Sequence, residues 1–138
     1  MTGTSGYITT TRNLNAPSAL NVGGLGAVLT TAVNLGSTEI RRGHTVQNGL
    51  NGNTSILRYF DITPTANTGL NATLVYKFDD SELNGKIESA LSLYKSTNTG
   101  STWTVQGGTV NTTANTITLS GIGSFSRWSA SSASAVVS

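Results

Sequence analysis

The chain is expected to be all-β: a two-layer antiparallel β-sandwich of immunoglobulin-like outline, with about eight or nine strands. Three observations predict this. Short segments alternate apolar and polar residues with period two, and none sustains the period of an amphipathic helix. Gly, Asn and Pro punctuate these segments at short intervals. Charge is replaced by Thr, Ser and Asn: 10% of the 138 residues are Asp, Glu, Lys or Arg, against about a quarter in an average soluble domain. Thr is β-branched and suits a pleated strand. A barrel is the alternative architecture, since strand number alone does not separate the two.

The segments follow in order. Tyr7 to Leu14 reads as a Thr-rich first strand, and Leu25 to Val33 as an apolar second. Glu39 to Gln47 alternates, with Ile40 and Val46 on one face. Ile56, Arg58, Phe60 and Ile62 share a face opposite Leu57, Tyr59 and Asp61, and apolar residues on both faces predict a central strand. Ala72, Leu74, Tyr76 and Phe78 alternate with Thr73, Val75 and Lys77. Leu91 and Leu93 open another strand, Trp103 and Val105 the next, then Ile117 and Leu119, and Phe125 to Ala130 closes the domain. Asn48-Gly49, Asn51-Gly52 and Gly107-Gly108 suit the positive φ of tight hairpin turns. Pro64 forces Thr63 extended and ends its strand. Asp79 to Ser89 is the one polar stretch that suits a helical turn. The expected core is Leu74, Tyr76, Phe78, Leu91, Leu93, Ile117, Leu119 and Phe125. Gly49-Leu50-Asn51 and Gly69-Leu70-Asn71 form a faint local repeat, which is no solenoid signature.

Composition bounds the function. One domain is expected over residues 1–130, with a Ser/Ala-rich tail or linker over 131–138. Met1 reads as an added start on an excised domain, and the N-terminus carries no basic-then-apolar leader pattern. No cysteine is present, so no disulfide or thiol chemistry is available. Net charge is +2 and the one local basic pair is Arg41-Arg42, too little for a nucleic-acid footprint. No apolar run reaches the length of a membrane span, so no membrane insertion is expected. A Thr/Asn/Gly-rich, charge-poor chain of this kind points to an extracellular or cell-surface protein.

Few residues offer chemistry. His44 is the single histidine; no Ser and Asp are brought to it by the sequence, so it reads as a partly exposed strand residue and no enzyme is expected. Asp79, Asp80 and Glu82 form the one acidic cluster, with Ser81 between them. Two readings stand: Asp80 or Ser81 caps a short helical turn with Glu82 inside it, or the loop ligates calcium. No other cofactor is expected. Trp103, Trp128 and Tyr94, with Tyr76, are candidates for a sugar-stacking platform, because aromatic faces pack on the apolar face of a pyranose; the same residues are also what a sandwich core needs. Phe125 and Trp128 have opposite strand parity, as do Leu93 and Tyr94, so one of each pair should face outward or cover the core's edge. Asn53, Asn71 and Asn111 head N-x-S/T triplets, which matter in a glycosylating secretory route.

The stretches Thr54-Ser-Ile-Leu-Arg-Tyr-Phe-Asp-Ile-Thr-Pro64, Leu74 to Gly85, Leu91 to Ser96 and Ser124-Phe-Ser-Arg-Trp128 together resemble a domain of large secreted proteins of the Bacteroidetes. The likeness runs over roughly residues 20 to 130. It implies a β-sandwich module in a surface adhesin or other multidomain protein of the type IX export route. The closing pattern is also similar to the end of ZU5-type sandwiches, some of which cleave themselves at a His-Phe-Ser step. Here the triplet is Ser124-Phe125-Ser126; the histidine that would serve as base is missing, which points to Phe125 as a core anchor. The expected function is a non-catalytic structural or adhesive module. Its expected partners are neighbouring domains or copies of itself in a homo-oligomer or fibre, met through strand edges. A carbohydrate-binding module, with a glycan as partner, is the alternative.

Overall fold

A computed structural model describes residues 7–132 of the chain. It is an all-β sandwich of antiparallel sheets. The strands are β1 (Tyr7–Asn15), β2 (Leu20–Asn21), β3 (Ala27–Thr30), β4 (Asn34–Gly43), β5 (Asn48–Leu50), β6 (Asn53–Thr54), β7 (Tyr59–Pro64), β8 (Ala72–Lys77), β9 (Leu91–Ser96), β10 (Thr104–Gly107), β11 (Thr109–Asn111), β12 (Thr116–Ile122) and β13 (Arg127–Ser132). A six-stranded sheet runs β1-β4-β7-β13-β9-β10, and a five-stranded sheet runs β11-β12-β8-β3-β2. The hairpin β5-β6 stands apart from both sheets. The count exceeds the eight or nine expected because β2, β5, β6 and β11 are two- or three-residue pieces, too short to show a period.

The core lies between the two sheets. Inward-facing residues of both layers are buried: Ile40, Phe60, Ile62, Leu93 and Trp128 from one, Leu29, Leu74, Tyr76 and Ile117 from the other. Phe60 meets Tyr76 edge to face across the layers, with ring centroids 5.0 Å apart. The Tyr76 hydroxyl donates to the Arg58 carbonyl; burial pushes its pKa far up, so it stays a neutral donor. Of the eight expected core residues, all are buried except Leu119, which is partly buried against the core.

β7 is central, flanked by β4 and β13, as its two apolar faces predict. Asn51-Gly52 makes the β5-β6 turn with φ of 56° and 81°, the positive-φ pair of a two-residue hairpin. Gly107-Gly108 does something else. The residues before and after it pair in different sheets, β10 with β9 and β11 with β12, so the two glycines carry the chain from one layer to the other.

Of the two parity expectations, one needs correction and the other holds with a difference in exposure. Phe125 and Trp128 are both buried, because Phe125 precedes β13 and so does not share its alternation. Its N–H donates to Asn67 Oδ1 at 2.7 Å, and Asn67 Nδ2 donates to its carbonyl at 2.9 Å. That two-point clamp turns the ring inward to Trp128, at a centroid distance of 6.4 Å. Tyr94 does face outward, yet the β5-β6 hairpin covers it: Asn51 Nδ2 donates to its hydroxyl at 3.1 Å, and the hydroxyl donates to the Ser132 carbonyl at 2.6 Å.

The boundary expected at residue 130 also moves. Ser131 and Ser132 belong to β13, and Ser131 is fully buried. Ser129 Oγ donates to the Arg58 carbonyl and Ser131 Oγ to the Thr54 carbonyl. Residues 133–138 of the expected tail, and Met1, lie outside the described residues.

Two stability tests follow from this packing. Phe125→Ala is expected to lower the unfolding free energy by about 3–5 kcal/mol in urea titrations, as for a core aromatic; a loss below about 1 kcal/mol would remove it from the core. Gly43→Ala places a Cβ 2.1 Å from the Tyr59 ring, an overpacking expected to cost about 1–3 kcal/mol.

Candidate functional site

The outer face of the six-stranded sheet gathers charge. Strand alternation turns Glu39 and Arg41 of β4, Asp61 and Thr63 of β7 and Arg127 of β13 outward, and the register sets Arg41 opposite Asp61 and Asp61 opposite Arg127. Arg127 grips Asp61 in two parallel bonds, Nε to Oδ1 at 2.7 Å and Nη2 to Oδ2 at 2.8 Å. Its guanidinium lies over the Tyr59 ring at 4.3 Å, and Nη1 donates to Gln47 Oε1 and the Thr99 carbonyl. The bond to Asp61 raises the Arg127 pKa above its ordinary value, so the guanidinium stays charged. Arg41 bonds Glu39 Oε1 at 3.0 Å and lies over Tyr7 at 4.5 Å. These side chains border an open groove of about 360 Å³, whose walls also include Asn67, Thr97, Thr99 and Ser126.

The acidic cluster is a helix cap. Asp79, not Asp80 or Ser81, is the N-cap of a 3-10 turn over Asp80–Glu82. Its carboxylate accepts from Ser81 N–H and Oγ, both at 3.1 Å, and those bonds lower its pKa. Glu82 reaches back to the Asp79 N–H at 2.8 Å, closing a capping box. The same carboxylate meets Arg58 Nε at 2.9 Å and His44 Nε2 at 3.1 Å, in a setting where all three side chains are largely buried. The three expected calcium ligands therefore do not converge: Glu82 turns inward to Arg58 while Asp79 and Asp80 stay exposed. Among the described residues, no group of three His, Cys, Asp or Glu side chains is placed to hold a metal.

The aromatic platform is likewise not assembled. Trp128 and Tyr94 have no exposed surface, so neither face can receive a pyranose. Trp103 is half-buried and packs behind the turn at Gly100, where an added Cβ would lie 3.7 Å from its ring. Sequence reasoning missed both charged clusters. Asp61 reads in the sequence only as sharing a face with Leu57 and Tyr59, and its partner lies 66 positions away; Glu82 and Arg58 are 24 apart. Ion pairs across strands leave no local spacing to read.

Sheet edges form the remaining surface. Among the described residues, the edge strands of the two large sheets are β1, β10, β11 and β2. β2 and β11 have two and three residues, and β10 has four with a register shift at Val105/Gly107. β1 differs: nine residues, paired with β4 in unbroken register from Tyr7↔Gly43 to Leu14↔Gly36. Tyr7, Thr9, Thr11 and Asn13 are exposed along it, and Arg12 is its one charge. It carries no proline, no glycine and no interior bulge, the devices that normally blunt an edge.

Comparison with known proteins finds no family model, no curated protein and no solved structure that matches this chain.

Two measurements check the acidic and histidine sites. Millimolar Ca²⁺ is expected to leave the melting temperature unchanged; a rise of several degrees that disappears in Asp80→Asn would restore the calcium reading. Burial is the largest influence on His44 and lowers its pKa below 6.5; Glu82 opposes this, and Arg42 and Arg58 add to it. The unfolded chain then takes up a proton before the folded one does. Stability is complete above about pH 6.5 and falls as the pH drops through the folded pKa. With one histidine in the chain, His44→Gln is expected to flatten that slope in pH-dependent urea unfolding.

Proposed function

We propose that this domain is a non-catalytic structural or adhesive module of a larger bacterial extracellular or cell-surface protein, and that it assembles by strand addition at β1. The observation that carries the proposal is the edge itself: nine residues long, regular in register and bearing a single charge. Alternate residues of such an edge direct N–H and C=O groups away from the sheet, and an incoming extended strand satisfies them. The partner is a neighbouring domain of the parent protein or a second copy of this one.

The use of ionisable groups supports the non-catalytic part. The His44 ring is taken up by Glu82, Glu82 by Arg58, and Asp61 by Arg127. These pairings tie the ionisable groups to one another and stiffen the fold. The resemblance to Bacteroidetes secreted modules, together with the sparse charge, supports a surface setting.

Light scattering across a concentration series tests the proposal. Wild-type protein is expected to associate at high concentration, and the double variant Thr9→Lys/Thr11→Lys, with charge added on exposed positions of the edge, is expected to remain monomeric. A wild type that stays monomeric throughout, or a variant that associates as the wild type does, rules out assembly through β1.

A further inference from the structure

We infer that the groove on the outer face of the six-stranded sheet binds a neutral polyhydroxyl ligand, a sugar unit of a glycan. The inference gives the adhesive part of the proposed function a ligand class and rests on that reading only for its biological setting.

The charge balance of the groove argues for a neutral ligand. Two guanidinium groups, Arg41 and Arg127, face two carboxylates, Glu39 and Asp61, and each cation is bonded to one of the anions. An anionic ligand would have to compete with Glu39 and Asp61 for the same donors. A hydroxyl need not compete. A guanidinium carries five N–H donors and a carboxylate about four lone-pair sites, so each pair keeps donors and acceptors in hand after binding its partner. A sugar hydroxyl both donates and accepts, which matches a ridge that alternates the two.

The walls add hydroxyl groups in fixed positions. Thr97 and Thr99 stand on a turn held from within: Ser96 Oγ accepts from Gly100 N–H and donates to Asn98 Oδ1, both at 2.8 Å, and Asn98 Oδ1 accepts from Thr102 N–H at 2.9 Å. Arg127 Nη1 ties the same turn to the sheet through the Thr99 carbonyl at 3.1 Å. A wall ordered before the ligand arrives does not have to be ordered by it. The Ser126 hydroxyl, in the lining of the same groove, is buried without a hydrogen-bond partner, a group that a ligand hydroxyl can satisfy after a side-chain rotation.

Size and lining agree with this. A volume of about 360 Å³ falls at the small end of ligand sites. The groove is open, and its lining joins these charged and hydroxyl groups to Ile62 and Phe125, a mixture that suits a sugar ring with its polar hydroxyl edge and apolar C–H face.

The experiment is an NMR titration of ¹⁵N-labelled protein with glucose, galactose, mannose, N-acetylglucosamine and their short oligosaccharides, with inorganic sulfate and glucuronate as anionic probes. Each is taken to about 10 mM, above a millimolar dissociation constant. At least one neutral sugar is expected to shift the amides of Arg41, Asp61, Thr99 and Arg127 together. Arg41→Ala and Thr97→Val, at exposed positions, are expected to leave the melting temperature unchanged; Arg41→Ala should weaken binding about tenfold, the loss of one charged hydrogen bond. No shift with any neutral sugar, tighter binding of sulfate or glucuronate, shifts centred outside the groove, or unchanged affinity in both variants overturns the inference. Strand addition at β1 is read by light scattering and sugar binding by amide shifts, so each can fail without the other.

Discussion

The six-stranded sheet depends on its last strand. β13 stands between β7 and β9, and it alone joins the β1-β4-β7 half of that sheet to β9-β10. With β9 it pairs along its whole length, from Arg127↔Ser96 to Ser132↔Leu91. With β7 it has two pairs, Arg127↔Asp61 and Trp128↔Phe60. Both carry more than their backbone contacts: the first is a bidentate ion pair on the outer face, the second places the largest side chain of the core beside Phe60. Beyond them the chain preceding β7 leaves the ladder, and hydroxyl groups replace it. Ser129 and Ser131 donate to the Arg58 and Thr54 carbonyls, while the Ala130 carbonyl accepts from Ile56 N–H. Small residues are needed here because the 54–58 segment passes directly over them. A larger side chain at Ser129 or Ser131 would lift that segment and leave its carbonyls unpaired in a buried place, which is costly.

That arrangement divides the outer face of the sheet. At one end the β5-β6 hairpin and the 54–58 segment cover β13 and β9, burying Tyr94. At the other end β4, β7 and the start of β13 stay open, and the ion pairs are found there. The dividing line is Arg127, which bonds Asp61 on the open side and Gln47 on the covered side. Gln47 is itself fixed where the chain enters the hairpin, its N–H donating to Ser55 Oγ at 2.8 Å. One guanidinium thus ties the sheet, the hairpin and the 97–100 turn. Arginine suits the role because its planar fork serves several acceptors at set angles and stays charged.

Period-two alternation made much of this architecture legible. The core residues of β8, β9 and β12, the central position of β7, the Asn51-Gly52 hairpin and the helical turn after Phe78 all follow from local pattern. The errors have a common origin. Trp128 was left an outward alternative because its distance from Phe125 was counted along a strand that begins only at Arg127. Tyr94 was left available for a ligand because nothing near it announces a covering hairpin more than forty residues upstream. Ser131 and Ser132 resembled a linker because small polar residues have the same composition in a flexible tail and in a crowded layer.

The sequence by itself determined the fold class, most of the buried faces and the Asn51-Gly52 turn, because these depend on side-chain alternation and on backbone conformations available to Gly and Asn; Asn48-Gly49, expected as a turn, lies within β5. The tertiary structure decided which charges meet, which aromatics are covered and which edge is left open. Asp61 finds Arg127, and Glu82 finds Arg58 and His44, through strand register and layer packing that bring distant segments together. The open edge is β1 because the topology places it outermost beside β4, and strand order is a property of the assembled sheet, invisible in the alternation of any one strand.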